Sequence, residues 1–184
     1  MKTLFYKRLW RFYPAYLEII PLTVIIASLL YTWISYPQLP DSIAVGITAN
    51  GTVTAYTPKD FGSVFYTPLS ALVLYALLTF VSYRRMAKLE DPSGELHLPA
   101  HLAKKVSSKY LESYRTFSVR MIFIAITALV IATNLSSFLQ IQASFDNLYA
   151  LLGYLPWVFY LLAMICALLQ FIKTRNVRKT IQGL

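Results

Sequence analysis

Cysteine is almost absent from these 184 residues, and the single Cys166 excludes an intramolecular disulfide or a metal site built on several thiolates. Histidine is nearly as scarce. His97 and His101 stand four apart with Pro99 between them and no third ligand at suitable spacing, so neither a metal nor any other cofactor is expected. Only 14% of the chain is charged, against about 25% in soluble domains. A phosphate-binding Gly-rich loop, a His-Glu-x-x-His sequence and paired intramembrane aspartates are all missing. Their absence excludes an autonomous ATP-driven pump and the common intramembrane proteases. With no nucleophile beside a base and no two carboxylates at one depth, the expectation is a protein that is not an enzyme.

What the chain does have is apolar side chain, 57% of its residues. Uncharged apolar runs cover 19–36, 61–83, 121–139 and 148–172. At ~1.5 Å per residue they reach roughly 27 to 37 Å, enough for the ~30 Å hydrocarbon layer. The expected fold class is an all-α integral membrane protein, one membrane domain over 1–184. Its four transmembrane helices should lie near 17–36, 61–83, 119–139 and 148–172, with an external loop at 37–60 and a cytoplasmic loop at 84–118. The first run should stay as an anchor, because it is long for a signal peptide and Tyr36-Pro37-Gln38-Leu39-Pro40 offers no small-x-small cleavage site.

The 17 Lys and Arg outnumber the 8 Asp and Glu, leaving a net charge of +9. Four precede the first run, Lys59 alone lies in the first loop, eight lie in the second loop, none in the third and four follow the last run. The positive-inside rule therefore puts both termini and the second loop in the cytoplasm of a plasma membrane. Topology absorbs the charge excess. No RNP-like, Cys2His2 or helix-turn-helix pattern points to nucleic acid as a partner.

Within the second loop, Leu102, Val106, Tyr110, Tyr114 and Phe117 recur every three or four residues after Pro99. That spacing predicts a cytoplasmic amphipathic helix near 101–117, lying on the inner leaflet before helix 3. Arg84, Arg85, Lys104, Lys105 and Lys109 are its expected contacts with lipid headgroups, with a cytoplasmic regulator as the sharper alternative. Pro21, Pro68 and Pro156 read as packing bends inside helices. Asn134, deep in the third run, is expected to bond across to another helix, or to line a substrate path as the lesser reading. Residues 140–147 read as a short loop closing helices 3 and 4 into an antiparallel pair, brought close at Ala150 and Gly153.

In the external loop, Asn50-Gly51 flanked by β-prone residues signals a hairpin with a type I′ turn. Strands near 43–49 and 52–56 would then set Ala49 opposite Thr52, Ile47 opposite Thr54 and Val45 opposite Tyr56. An isolated hairpin is marginal in water, so it must rest on the helix tops or on another protein.

Leu39-Pro40-x-x-Ile43, Gly51, Lys59 and the following helix start up to Pro68 make residues 36–72 resemble the membrane domain of unknown function 1648. That domain forms the front half of SdpI-type immunity proteins, bacterial membrane proteins that protect a producer from its own toxic peptide. The family pattern has Pro, His, an aromatic residue, Asn and Asp where this chain has Ala44, Gly46, Ile47, Thr48 and Thr54. The resemblance implies an immunity or stress-accessory protein whose external loop engages a peptide or lipid-linked ligand. Leu39, Pro40, Asp41, Asn50, Gly51, Tyr56 and Lys59 are the candidate contacts. Besides the lipid bilayer, the partners in view are a peptide toxin or another membrane protein. A small permease or transporter subunit is the second reading, and a structural subunit of a membrane complex the third.

Overall fold

The computed structural model describes residues 15–88, 108–146 and 150–182. Four long helices dominate: α1 (Ile19–Ser35), α2 (Phe61–Lys88), α3 (Ser108–Ser144) and α4 (Leu155–Gln182). Each contains or borders a stretch long and apolar enough to cross a membrane: Ile19–Gln38, Phe61–Ser82, Ser113–Ser144 and Leu152–Thr180. Between α1 and α2 lies a two-stranded antiparallel sheet of β1 (Ser42–Ile47) and β2 (Val53–Pro58). The expected membrane-type helical fold with a small hairpin is present.

Burial marks out the packed face of each helix. On α1 the buried positions are Pro21, Ile25, Thr32 and Ser35, one stripe at spacings of three, four and seven. On α4 they are Pro156, Ala163, Cys166 and Val177, a narrow stripe of mostly small residues that lets a neighbouring backbone come close. In contrast, α3 buries Ile126, Ala128, Val130, Ala132 and Asn134 at every second residue, which no single helix face can do. It is enclosed on several sides, with α1, α2 and α4 all packed against it. Ile25, Tyr75, Ile126 and Val130 make the central core, and Leu39, Ile43, Val64, Phe65 and Ile141 make a second core at the hairpin end. The outward faces carry large apolar side chains such as Ile26, Leu77, Leu161 and Phe171, as a lipid solvent requires.

Several expectations are corrected. From Ser108 onward the predicted surface helix is the first part of α3, with no break between Phe117 and Met121. Nothing in 108–120 interrupts a helix, since the nearest proline is Pro99. The 37 residues of α3 extend ~56 Å, so its first turns project beyond the hydrocarbon layer. Tyr114, expected on the leaflet-facing stripe, is buried and its hydroxyl pairs with Thr174 Oγ1 of α4 at 2.9 Å. The rest of the predicted surface helix, 101–107, lies outside the described residues.

Of the three prolines expected inside helices, only Pro68 is interior to one. Pro21 and Pro156 occupy the first turns of α1 and α4, where the missing N–H has no helical partner to lose. Residues 140–144 belong to α3 rather than to a loop. That helix ends at Ser144, and two residues on Asp146 has a φ of 56°, a left-handed conformation that Asp tolerates better than most residues.

Candidate functional site

The hairpin site begins at the end of α1, where Leu39 takes the extended conformation that a following proline imposes. That direction sends Leu39 and, four residues later, Ile43 inward between α2 and α3, against Val64, Phe65 and Ile141. The Leu-Pro-x-x-Ile spacing is thus a wedge that seats the hairpin on the helices. At the far side of the hairpin, Asp60 and Ser63 form a reciprocal cap on α2: Ser63 N–H donates to Asp60 Oδ1 at 2.7 Å and Asp60 N–H to Ser63 Oγ at 3.1 Å.

Lys59 ties the two ends together. Its Nζ donates to the Leu39 carbonyl at 2.8 Å and its backbone N–H donates to the Asp41 carbonyl at 2.8 Å. The same ammonium lies 5.3 Å from the centre of the Tyr36 ring, and such an attraction is worth ~0.5–1 kcal/mol at an exposed site. Tyr36 in turn packs on Phe65, which stacks on Phe61 at 4.3 Å.

The hairpin turn differs from the expected one. Thr48 N–H donates to the Thr52 carbonyl and Gly51 N–H to the Thr48 carbonyl, both at 2.9 Å, enclosing Ala49, Asn50 and Gly51 as a three-residue loop. In that loop Gly51 alone has a positive φ, 82°. A type I′ turn needs two such residues, so this is the turn-plus-glycine-bulge alternative. Asn50 Oδ1 accepts from the Thr48 and Thr52 hydroxyls, which consumes the side chain inside the turn.

Register shifts accordingly. Ile47 pairs with Val53 and Ala44 with Tyr56, and irregular pairing on both sides of Gly46 leaves Val45 without a partner strand residue. Since a one-residue slip exchanges the faces of a strand, the expected facing pairs do not form. Gly46 is confined: a Cβ there would lie 2.5 Å from Thr54 Oγ1 and 3.1 Å from the Ala55 backbone nitrogen.

Helix tops support the hairpin rather than leaving it free. Ala44 N–H donates to Ser144 Oγ of α3 at 2.9 Å. A Cβ on Gly153 would stand 2.6 Å from the Ala49 carbonyl oxygen and 2.8 Å from the Gly51 nitrogen. Gly153, expected to bring helices 3 and 4 together, instead makes room for the hairpin tip. On α3, Gln140, Gln142 and Ser144 each reach a different neighbour. Gln140 Nε2 donates to the Ser63 carbonyl, Gln142 Nε2 to the Tyr31 hydroxyl at 2.7 Å, and Ser144 Oγ receives the β1 bond just described. Sequence reasoning misses this polar lacing; the one signal for it is a Gln-x-Gln-x-Ser run at the end of an apolar helix.

The candidate contacts fall into three groups. Leu39 and Lys59 are part of the support, and Asn50 and Gly51 make the turn. Pro40, Asp41 and Tyr56 remain exposed, as does Val45. On the opposite end of the bundle, Arg84 and Arg85 lie in the last turns of α2 and Lys109 at the start of α3, while Lys104 and Lys105 lie outside the described residues.

Among the described residues, Asn134 does not bond across to a neighbour. Its Nδ2 donates to the Val130 carbonyl of its own helix at 2.8 Å, and among the described residues its buried Oδ1 meets no donor. Among the described residues, no cluster of three His, Cys, Asp or Glu side chains is placed to hold a metal ion.

No curated protein and no solved structure matches the chain. Residues 23–72, from within α1 through the hairpin to the third turn of α2, match the domain family described as Domain of unknown function (DUF1648), which upholds the domain likeness read from Leu39, Pro40, Ile43 and Gly51.

Proposed function

We propose that this is a non-enzymatic, multi-pass protein of a bacterial plasma membrane, with both termini cytoplasmic. Its outer hairpin then receives a peptide or lipid-linked ligand in an immunity or stress-accessory role of the SdpI type. The observation that carries the reading is the seating of the hairpin, wedged by Leu39 and Ile43, bonded through Ala44 to Ser144 and docked at its tip on Gly153. A loop already held in place loses little freedom when a ligand arrives. Tyr56, 59% exposed, is the aromatic anchor such a loop offers, and Val45, Pro40 and Asp41 are exposed on the same loop. With Gly46, Thr48 and Thr54 in place of the family's His, Asn and Asp, recognition rests on shape and apolar contact rather than on a metal or a transferred proton.

A deletion strain should become sensitive to a membrane-active peptide that the parent strain resists. The wild-type gene restores resistance, and Tyr56→Ala at equal membrane abundance weakens protection about tenfold, the loss of a modest hot spot. Unchanged sensitivity of the deletion strain across a panel of such peptides removes the proposal.

A further inference from the structure

Asn50-Gly51 at the hairpin tip brings together the two groups of an intramolecular reaction. The backbone nitrogen that follows an asparagine can attack the side-chain amide carbon, and glycine, with no side chain, hinders that approach least. A Gly51 N–Asn50 Cγ bond forms and closes a cyclic imide. The Cγ–Nδ2 bond breaks, and ammonia leaves with the proton that the Gly51 nitrogen gives up. Water then opens the imide at either carbonyl, giving aspartate or an isoaspartate whose backbone is one atom longer.

The folded tip holds both reacting groups in other bonds. Gly51 N–H donates to the Thr48 carbonyl at 2.9 Å. Gly153 lies against the same nitrogen, since a Cβ there would come within 2.8 Å of it. Asn50 accepts through Oδ1 from the Thr48 hydroxyl, from the Thr52 hydroxyl at 3.0 Å and from Thr52 N–H at 3.4 Å. Attack needs the nitrogen released from its acceptor and Cγ released to swing toward it. The reaction therefore passes through an opened tip, and its rate is scaled by the fraction of time the tip is open. Asn50 is exposed, so water for the second step is at hand.

We propose that Asn50 is a site of spontaneous deamidation, gated by the seating of the hairpin tip on Gly153. A seated tip keeps its asparagine, and a lifted one converts. The three-residue loop, closed by two backbone bonds, has no room for the extra atom of isoaspartate, so a tip converted to that product does not seat again. Lifting of the hairpin is thereby recorded as a covalent change.

The test follows residue 50 by peptide mass spectrometry in the full chain held in nanodiscs at mildly alkaline pH, with isoaspartate detected by an isoaspartate-specific methyltransferase. The folded chain should convert about tenfold or more slowly than the same chain unfolded in guanidinium and detergent. Gly153→Ala in nanodiscs should speed conversion about threefold or more toward the unfolded rate. Ser144→Ala, which removes the Ala44 bond and leaves the tip sequence intact, should speed it as well, and it serves where Gly153→Ala fails to fold. Equal rates in the folded and unfolded chains overturn the gating. Folded variants that convert no faster than the wild type overturn it too, because the protection then comes from the turn alone. No conversion in the unfolded chain removes Asn50 as a modification site.

Discussion

Two residues show how lipid and close packing change the meaning of a side chain. Asn134 has its amide bonded to its own helix and its buried oxygen without a donor among the described residues. Asn134→Leu keeps the branching, removes the orphaned acceptor and leaves cross-helix packing intact. The expected outcome is unchanged stability or a gain of about 1 kcal/mol in detergent unfolding. A loss of similar size instead means that Asn134 holds a neighbouring helix after all. Gly153 is the opposite case, since the nearest atoms a Cβ would meet there belong to the hairpin backbone and cannot rotate aside. Gly153→Ala should destabilise by about 1–3 kcal/mol, as overpacking does. It should also expose the tip, read as faster proteolytic cleavage within residues 48–52. Neither role is legible in the sequence. An Asn in an apolar run and a Gly at a helix start say that something special happens, but the partner is set by the tertiary approach.

Among elements, the apolar runs translate almost directly into helices, because hydrocarbon offers backbone groups no partner but their own helix. The hairpin is legible for the same kind of local reason, in Asn50-Gly51. Its register is not: both available turns need glycine at Gly51, and they differ only in whether Asn50 also takes a positive φ. The extension of α3 is hidden by its own periodicity, since the stripe of Tyr110, Tyr114 and Phe117 suits a helix on the leaflet and a helix packed on α4 equally well. Polar residues at the hairpin end of α3 follow the logic that hydrogen bonds between helices in a membrane fix neighbours. For Gln142 and Tyr31 a double-mutant cycle with Gln142→Leu and Tyr31→Phe should give a coupling of about 0.6–1.7 kcal/mol. A coupling indistinguishable from zero would show that the 2.7 Å bond contributes nothing to holding α1 on α3.

At the scale of the molecule, the four long helices and the sheet of the described residues form two ends. One end holds the hairpin, the end of α3 and the start of α4, joined by the Ala44–Ser144 bond and the Gly153 contact. The other holds the last turns of α2, the start of α3 and the end of α4, which carries Lys173, Arg175, Arg178 and Lys179. Four helices long and apolar enough to cross a membrane leave two orientations, and the distribution of basic residues favours the second end as the cytoplasmic one. The choice is testable because Cys166→Ala removes the only native thiol. In that background, Tyr56→Cys places a thiol on the exposed hairpin and Arg178→Cys places one on the exposed end of α4. A membrane-impermeant maleimide added to intact cells should label the first, and should label the second only after permeabilisation. The reverse pattern would turn the molecule over. A hairpin facing the cytoplasm has no access to an external peptide, and the immunity-type reading fails with it.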